Sequence, residues 1–264
     1  MDRIRGVLER LRRTGRKALI PFLMGGDPTL AATRQMLLAL AESGADLIEV
    51  GIPFSDPLAD GPTIQQASQR ALAHHTTPGS VLETVARTTP QMAVPIVLLS
   101  YWNPILRYGL TAFMRDAQRA GASGVIVPDL PVEEGREFRQ AAGRVGIDSI
   151  FLAAPTSPPE RLRQIARCSE GFIYYVSVTG TTGARQRLPA AWLHGVRQLK
   201  LVTTKPVCVG FGISTPSQAA SVARVADGVI VGSALIRALE PALHTPRALP
   251  KIAAAFVRRL RRAV

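Results

Sequence analysis

The sequence predicts a closed (β/α)8 barrel: an α/β chain forming one domain over residues 1–264, with an extra helix at its N-terminus. Three observations point there. Eight short, β-branched apolar runs recur along the chain, stretches with helical apolar spacing separate them, and no linker or composition break interrupts residues 18–262. Strands apolar on both faces that alternate with helices belong to a parallel sheet covered all round. Such barrels run to about 250 residues as one domain. An open, doubly wound sheet is the other way to arrange these units; the count of eight favours the barrel.

In chain order, the extra helix spans 2–13 and the strands 18–23, 47–50, 96–99, 124–127, 147–152, 172–176, 207–209 and 228–231. Helical spacing covers 30–42, 63–73 with 79–89, 111–120, 132–144, 159–168, 190–200, 216–225 and the tail 246–262. Helix starts are punctuated by Asp27-Pro28-Thr29, Thr77-Pro78, Ser157-Pro158-Pro159 and Ser214-Thr215-Pro216, where a capping side chain or a first-turn proline deals with unpaired N–H groups. Gly44, Gly121 and Gly146 stand just before strands, as left-handed helix ends require. Ser43-Gly44-Ala45-Asp46 and Ala120-Gly121-Ala122-Ser123 repeat one pattern, a sign of repeated βα units.

Composition excludes several classes. With 47% hydrophobic and 19% charged residues, the chain can bury enough surface to offset its ordering entropy, so intrinsic disorder and collagen-like repeats are out. Cys168 and Cys208 are too few for a disulfide framework or a thiolate metal site, and no charged head leads into an apolar secretory core. A cytoplasmic protein with reduced thiols is expected. Apolar runs stop well short of the ~18 residues that a membrane span needs.

The chain is strongly basic, with 28 Arg and 4 Lys against 19 acids and a net charge of +13. That raises the question of a nucleic-acid partner. Seven of the cations fall in residues 3–17, and Arg258, Arg259, Arg261 and Arg262 close the chain, while the rest are scattered singly. With 5% aromatics, a stacking platform for single strands is missing. Solvated helix faces are the plainer account, and no nucleic-acid or membrane partner is expected.

Chemistry in such a barrel gathers in the loops after the strands. Glu49 lies near the end of the apolar second strand, where burial disfavours its charged form; it is a candidate general acid and base, or else a carboxylate paired with an arginine. In the loop that follows, Asp56 precedes a proline and reads as a turn residue, whereas Asp60 could be turn or catalyst. Asp129, in Val127-Pro128-Asp129-Leu130-Pro131, could be catalytic or could cap a loop. Tyr174 and Tyr175 end the sixth strand with opposed side chains, so one can face the barrel mouth.

Glycine turns follow three late strands: Thr179-Gly180-Thr181-Thr182-Gly183, Gly210-Phe211-Gly212-Ile213-Ser214 and Gly232-Ser233. They let backbone N–H groups approach a ligand, and a helix beginning at Ser233 turns its positive end the same way, an arrangement suited to phosphate. No lysine stands at a strand's C-terminal end, which disfavours imine catalysis, and His74, His75, His194 and His244 have no converging metal-ligand spacing. No metal is expected.

Several stretches together resemble the tryptophan synthase alpha subunit: Pro21-Phe22, Gly26-Asp27-Pro28, the seventeen-residue block from Glu49 to Gln65, Pro128-Asp129-Leu130-Pro131-Val132-Glu133-Glu134, Tyr174-Tyr175-Val176-Ser177-Val178-Thr179-Gly180, Thr182-Gly183-Ala184-Arg185 and Gly210-Phe211-Gly212-Ile213. The likeness runs from about Arg3 to Arg259, and the 49–65 block is its most specific part. It implies a TIM barrel of the ribulose-phosphate-binding type. The implied reaction is the retro-aldol cleavage of indole-3-glycerol phosphate to indole and glyceraldehyde 3-phosphate, a lyase step late in tryptophan biosynthesis.

By resemblance, Glu49 moves the proton to the indole ring carbon and from the side-chain hydroxyl, and Asp60 stabilises the indole N–H as positive charge develops. Tyr174 lines the site, the indole packs on Phe22, Ile64, Leu99 and Phe211, and Thr182, Gly183, Gly212, Gly232 and Ser233 complete the loops that hold substrate and phosphate. The resemblance also implies an alpha2beta2 heterotetramer. There the beta subunit carries pyridoxal phosphate, this chain carries no cofactor, and indole passes through a tunnel. The implied docking surface includes Pro53, Asp56, residues 101–106, Pro131 and a lid at 179–187.

Departures from the family pattern are His75 where many members have glycine, the Met24-Gly25 pair and the Arg-rich last helix; none touches Glu49, Asp60 or Thr182. The excess positive charge would help draw in a doubly anionic phosphate ester. Two other functions stay in view: a stand-alone lyase that releases free indole, and a basic, non-enzymatic nucleic-acid scaffold.

Overall fold

A computed structural model describes residues 3–176, 191–210 and 212–264. Among them run nine parallel strands: β1 (Ala18–Met24), β2 (Ile48–Gly51), β3 (Ile96–Leu99), β4 (Ala122–Ile126), β5 (Asp148–Ile150), β6 (Leu152–Ala153), β7 (Ile173–Val176), β8 (Val207–Gly210) and β9 (Gly228–Val231). They pair in the order β5-β4-β3-β2-β1-β9-β8-β7-β6. The two ends of that order are consecutive in the chain on either side of Phe151, so the sheet curls round on itself and makes the (β/α)8 barrel.

One expected strand, 147–152, is therefore two. Its first half pairs with β4 from Gly124↔Asp148 to Ile126↔Ile150, and its second half with β7 at Leu152↔Tyr174 and Ala153↔Tyr175. At Phe151 the N–H donates to the Ser169 hydroxyl (3.3 Å), while the carbonyl accepts from the Tyr174 N–H (3.1 Å). The run changes neighbours at that residue, which an apolar run in sequence cannot disclose.

Two apolar clusters follow from the alternation of side chains along each strand. Leu19, Leu23, Ile48, Val50 and Leu98 point outward into a layer shared with the surrounding helices. Ala18, Ile20, Phe22, Val97, Leu99 and Ile230 point inward and fill the barrel. The helix Arg3–Arg13 adds Ile4, Leu8 and Leu11 to this inner cluster, closing the N-terminal end of the ring. The opposite mouth, into which the loops after the strands open, is left uncovered by that helix.

Most punctuation is where the sequence placed it. The Thr29 hydroxyl accepts from the Ala32 N–H (3.1 Å), and capping boxes join Thr77 with Ser80 and Thr215 with Gln218. Gly44, Gly121 and Gly146 all have positive φ, at 99°, 84° and 71°. His75 also lies in the left-handed region, at 56°. Two helices differ from expectation. The one expected over 132–144 starts only at Arg136, after turns in which the Glu134 and Gly135 N–H groups donate to the Pro131 and Val132 carbonyls; a Cβ on Gly135 would lie 2.5 Å from Cζ of Phe151, so glycine is required there. The helix Trp102–Tyr108 was not among the expected ones; Pro104 sits in its first turn, where no N–H partner is needed. No helix among the described residues is long and apolar enough to cross a membrane.

The last helix, Leu249–Arg261, buries Leu249, Ala253, Phe256, Val257 and Leu260 in the core, and two of its arginines add polar ties, Arg258 to the Ser43 hydroxyl (3.2 Å) and Arg261 to a denser set of partners. The Arg261 guanidinium donates to Asp46 Oδ2 (2.5 Å) and to the carbonyls of Lys17 (2.9 Å) and Val264 (2.6 Å), and Asp46 Oδ2 also accepts from the Leu19 N–H (2.9 Å). Removing one partner from a largely buried pair strands the other. Arg261→Ala is expected to lower unfolding stability by about 2 kcal/mol. A urea midpoint equal to that of the parent chain would show that the pair contributes nothing.

Candidate active site

At the level of Phe22 in β1 and Val97 in β3, β2 places Glu49. Its strand neighbours Ile48 and Val50 face the helix layer, so alternation turns Glu49 into the barrel. The residue is 2% exposed, and Oε2 has no hydrogen-bond partner among the described residues. Burial first, and the charge of Asp60 second, push its carboxyl up to about 8. Among the described residues no arginine pairs with Glu49, and burial in an apolar wall favours its protonated form.

Asp60 reaches the same space from the loop after β2. The Asp60 N–H donates to the Pro57 carbonyl (3.0 Å), and Gln65 Nε2 donates to the Asp60 carbonyl (2.9 Å), so the loop is tied to the first turn of the helix Pro62–Ala73. Burial raises its carboxyl to about 6, against the lowering effect of a hydrogen bond from the Tyr101 hydroxyl. That hydroxyl also accepts from the Ala59 N–H (2.9 Å). Tyr101 therefore fixes both the backbone and the carboxylate of the loop. Tyr101→Phe should shift the Asp60 titration upward and cut kcat about tenfold, the loss expected for one hydrogen bond to a charged group worth about 1.5 kcal/mol. An unchanged acid limb in the pH profile would remove Tyr101 from this role.

Tyr174 on β7 completes the wall, 4% exposed, its phenol raised well above the ordinary value by burial and by the Glu49 and Asp60 charges. A Cβ on Gly210 would fall 2.4 Å from the Tyr174 hydroxyl oxygen, so glycine at 210 is what admits the ring. Gly51 does the same for Phe22, whose Cζ would be 2.7 Å from a Cβ there. Around one cavity the structure brings together Phe22, Glu49, Asp60, Ile64, Leu99, Tyr174, Gly212, Gly232 and Ser233. Gly212 has φ 75°, and Gly232 precedes the helix Ser233–Leu239, whose first N–H groups face no earlier carbonyl of their own helix.

Thr182, Gly183 and Phe211, and with them the expected lid at 179–187, lie outside the described residues. The other loop acids resolve as structure. Asp56 is exposed, bonded to the Ser55 hydroxyl, with its carbonyl taken by the Leu58 N–H (2.9 Å). Asp129 Oδ1 accepts from the Trp102 N–H (2.9 Å) at the start of its helix, and lines no part of the cavity. The expected docking surface needs correction at three positions: Pro53, Tyr101 and Ile105 are buried, Tyr101 because its hydroxyl is spent on the Asp60 loop, while Asp56 and Pro131 are exposed. Leu58 and Leu106, 88% and 51% exposed, put large apolar side chains on that rim.

Sequence reasoning missed Gly61, Thr63, Ile213 and Ile230 in the cavity wall, and it missed the support from Tyr101. Ile230 could have been found from inward alternation along its strand. Tyr101 could not, because its partner loop is more than forty residues away in sequence.

A family model described as tryptophan synthase alpha chain matches residues 8–264. The tryptophan synthase alpha chain of Geobacter sulfurreducens is 52% identical over 264 residues, covering 100% of this chain and 99% of that relative. Among solved structures, tryptophan synthase subunit alpha from Legionella pneumophila superposes with a TM-score of 0.91 at 38% identity, covering 100% of this chain and 98% of that one. A chain of the tryptophan synthase complex from Pyrococcus furiosus does so with a TM-score of 0.85 at 38% identity, covering 92% and 97%. A buried pair of carboxyls facing glycine turns across a barrel mouth, on a chain that matches these relatives from end to end, belongs to the tryptophan synthase alpha chain family.

Proposed function

We propose that the cavity cleaves indole-3-glycerol phosphate to indole and glyceraldehyde 3-phosphate, with Glu49 and Asp60 as its catalytic groups. The observation that carries this reading is the division between the two buried carboxyls, one raised to about 8 and the other only to about 6. At neutral pH one holds a proton and the other a charge. Glu49 delivers its proton to the indole ring carbon that bears the side chain. Positive charge then appears at the ring nitrogen, where the Asp60 carboxylate stabilises it. The adjoining hydroxyl returns a proton to Glu49 as the carbon–carbon bond breaks, and the electron pair flows into the ring and neutralises it.

The leaving indole is its own electron sink, so the steps use no lysine and no metal. Phe22, Ile64, Leu99 and Tyr174 hold the bicycle, and the backbone at Gly212, Gly232 and Ser233 takes the phosphate, with Thr182, Gly183 and Phe211 assigned alongside them by resemblance. The chain works as one barrel domain in the cytoplasm, with no cofactor of its own. Its partner is a beta subunit carrying pyridoxal phosphate, in an alpha2beta2 assembly; the exposed Leu58 and Leu106 beside the mouth suit a docked partner better than a stand-alone lyase.

The pH dependence tests the assignment. Asp60 must be ionised and Glu49 protonated in the free enzyme, so kcat/KM should form a bell that falls below about pH 6 and above about pH 8. An indole-release assay across this range, with and without a beta subunit, reads both limbs and the activation. A profile flat from pH 5 to about pH 9 would overturn the two-carboxyl reading.

A further inference from the structure

At the end of the barrel away from the candidate active site, beside the helix Arg3–Arg13, lies a second hollow of about 370 Å³. Arg12, Arg16 and Lys17 line one side, Lys200 and Lys205 the other, and Asp227 is its one carboxylate. That acid is already engaged, with Oδ1 on Lys200 Nζ (2.9 Å) and Oδ2 accepting from the Val207 N–H (2.9 Å). Lys205 Nζ donates to the carbonyls of Arg167 (3.2 Å) and Ser169 (2.5 Å), which fixes its ammonium at the wall. The side chains of Arg12, Arg16 and Lys17 make no hydrogen bond or ion pair with any described residue. The adjoining hollow, which shares Arg12 and Lys205, is lined by Glu9, Asp148 and Glu170; Glu9 is paired with Arg5 at 2.8 Å, with the charges of Arg13 and Arg12 adding to the pull on its carboxylate.

Like charges gathered in a concave site with low-dielectric walls focus a positive potential there, and without a counter-charge they repel one another. A solvated arginine face does not require this: exposed cations such as Arg87 and Arg161 pair with acids, Glu83 and Glu133, on open surface. Two guanidiniums offer forked donors suited to phosphate oxygens, and the ammonium groups add point charges. The volume is that of a small-molecule site, and the cations converge on a hollow where an extended nucleic-acid backbone would want a stripe. We propose that this hollow binds a compact polyphosphate, such as the di- or triphosphate group of a small molecule. The inference stands apart from the reading of the active site, because it uses none of the same residues.

The test is amide NMR of the full chain titrated with pyrophosphate and with tripolyphosphate, followed at Gly15, Arg16 and Thr204 at this end and at Gly232 and Ser233 at the other. Saturable shifts at the first group, with tripolyphosphate binding more tightly than pyrophosphate, are expected. Arg12→Gln with Arg16→Gln should weaken that binding at least tenfold and leave the Gly232 and Ser233 response unchanged. Arg136→Gln with Arg247→Gln, which removes the same charge from exposed positions elsewhere, should leave it intact. Non-saturating shifts spread over every arginine-bearing face would overturn the site. Equal losses in the two double variants would reduce it to net charge, and tighter binding of a DNA duplex through the same amides would make the ligand a nucleic acid.

Discussion

Glu49→Gln should lower kcat by about 10²–10⁴-fold while KM moves little, because the change removes proton transfer and keeps the side chain's shape. Gln cannot give its proton to the ring carbon or accept one from the hydroxyl. Among the described residues the surroundings offer no substitute: Glu49 sits among Phe22, Val97 and Tyr174, and the other carboxyl there, Asp60, is tied to Tyr101 and ionised at neutral pH. Indole release under saturating substrate, with the beta subunit present so that docking is not the variable, measures the loss. Full turnover in the variant would end the assignment of Glu49 as the proton carrier. A loss confined to KM would make it a binding residue.

The same substitution should stabilise the fold at alkaline pH. In the folded chain Glu49 keeps its proton up to about pH 8, whereas the ordinary value is 4.5. The native state therefore binds the extra proton between those values, and the stability this group allows is complete only at low pH and is lost as pH rises toward 8. Gln does not titrate, so it escapes the loss. Raising the pH from about 5 to about 8 should widen the difference in unfolding free energy in favour of Glu49→Gln by roughly 2–4 kcal/mol. Urea midpoints of both chains at the two pH values measure it. Because any cost of seating the amide is present at both, only the change between them counts, and an unchanged difference would mean that Glu49 is not buried as an uncompensated acid. The enzyme thus carries a destabilising group where its chemistry needs one.

How far each residue was legible depends on how local its determinants are. The barrel was readable because alternation of apolar runs and helices, with glycines such as Gly121 and Gly146 at helix ends, is written in neighbouring residues. Glu49 was readable because a carboxylate in an apolar strand is anomalous on its face. Asp60 was ambiguous from spacing alone, and resemblance to the family is what favoured it. Asp129 was left open, because whether an acid after a strand caps a helix or meets a substrate depends on which N–H lies across the gap, and here it is that of Trp102.

What the sequence by itself determined is the alternation of strands and helices, the acid in an apolar strand and the glycine turns, all consequences of backbone preferences and side-chain period over a few residues. Only the tertiary structure decided that one strand divides at Phe151 to close the ring, that Tyr101 is spent on holding Asp60, and that five cations meet beneath the barrel. Those outcomes depend on register and on contacts between segments far apart in the chain, and on the burial they produce. It is that burial, absent from any local pattern, which raises the two carboxyls by different amounts, Glu49 to about 8 and Asp60 to about 6.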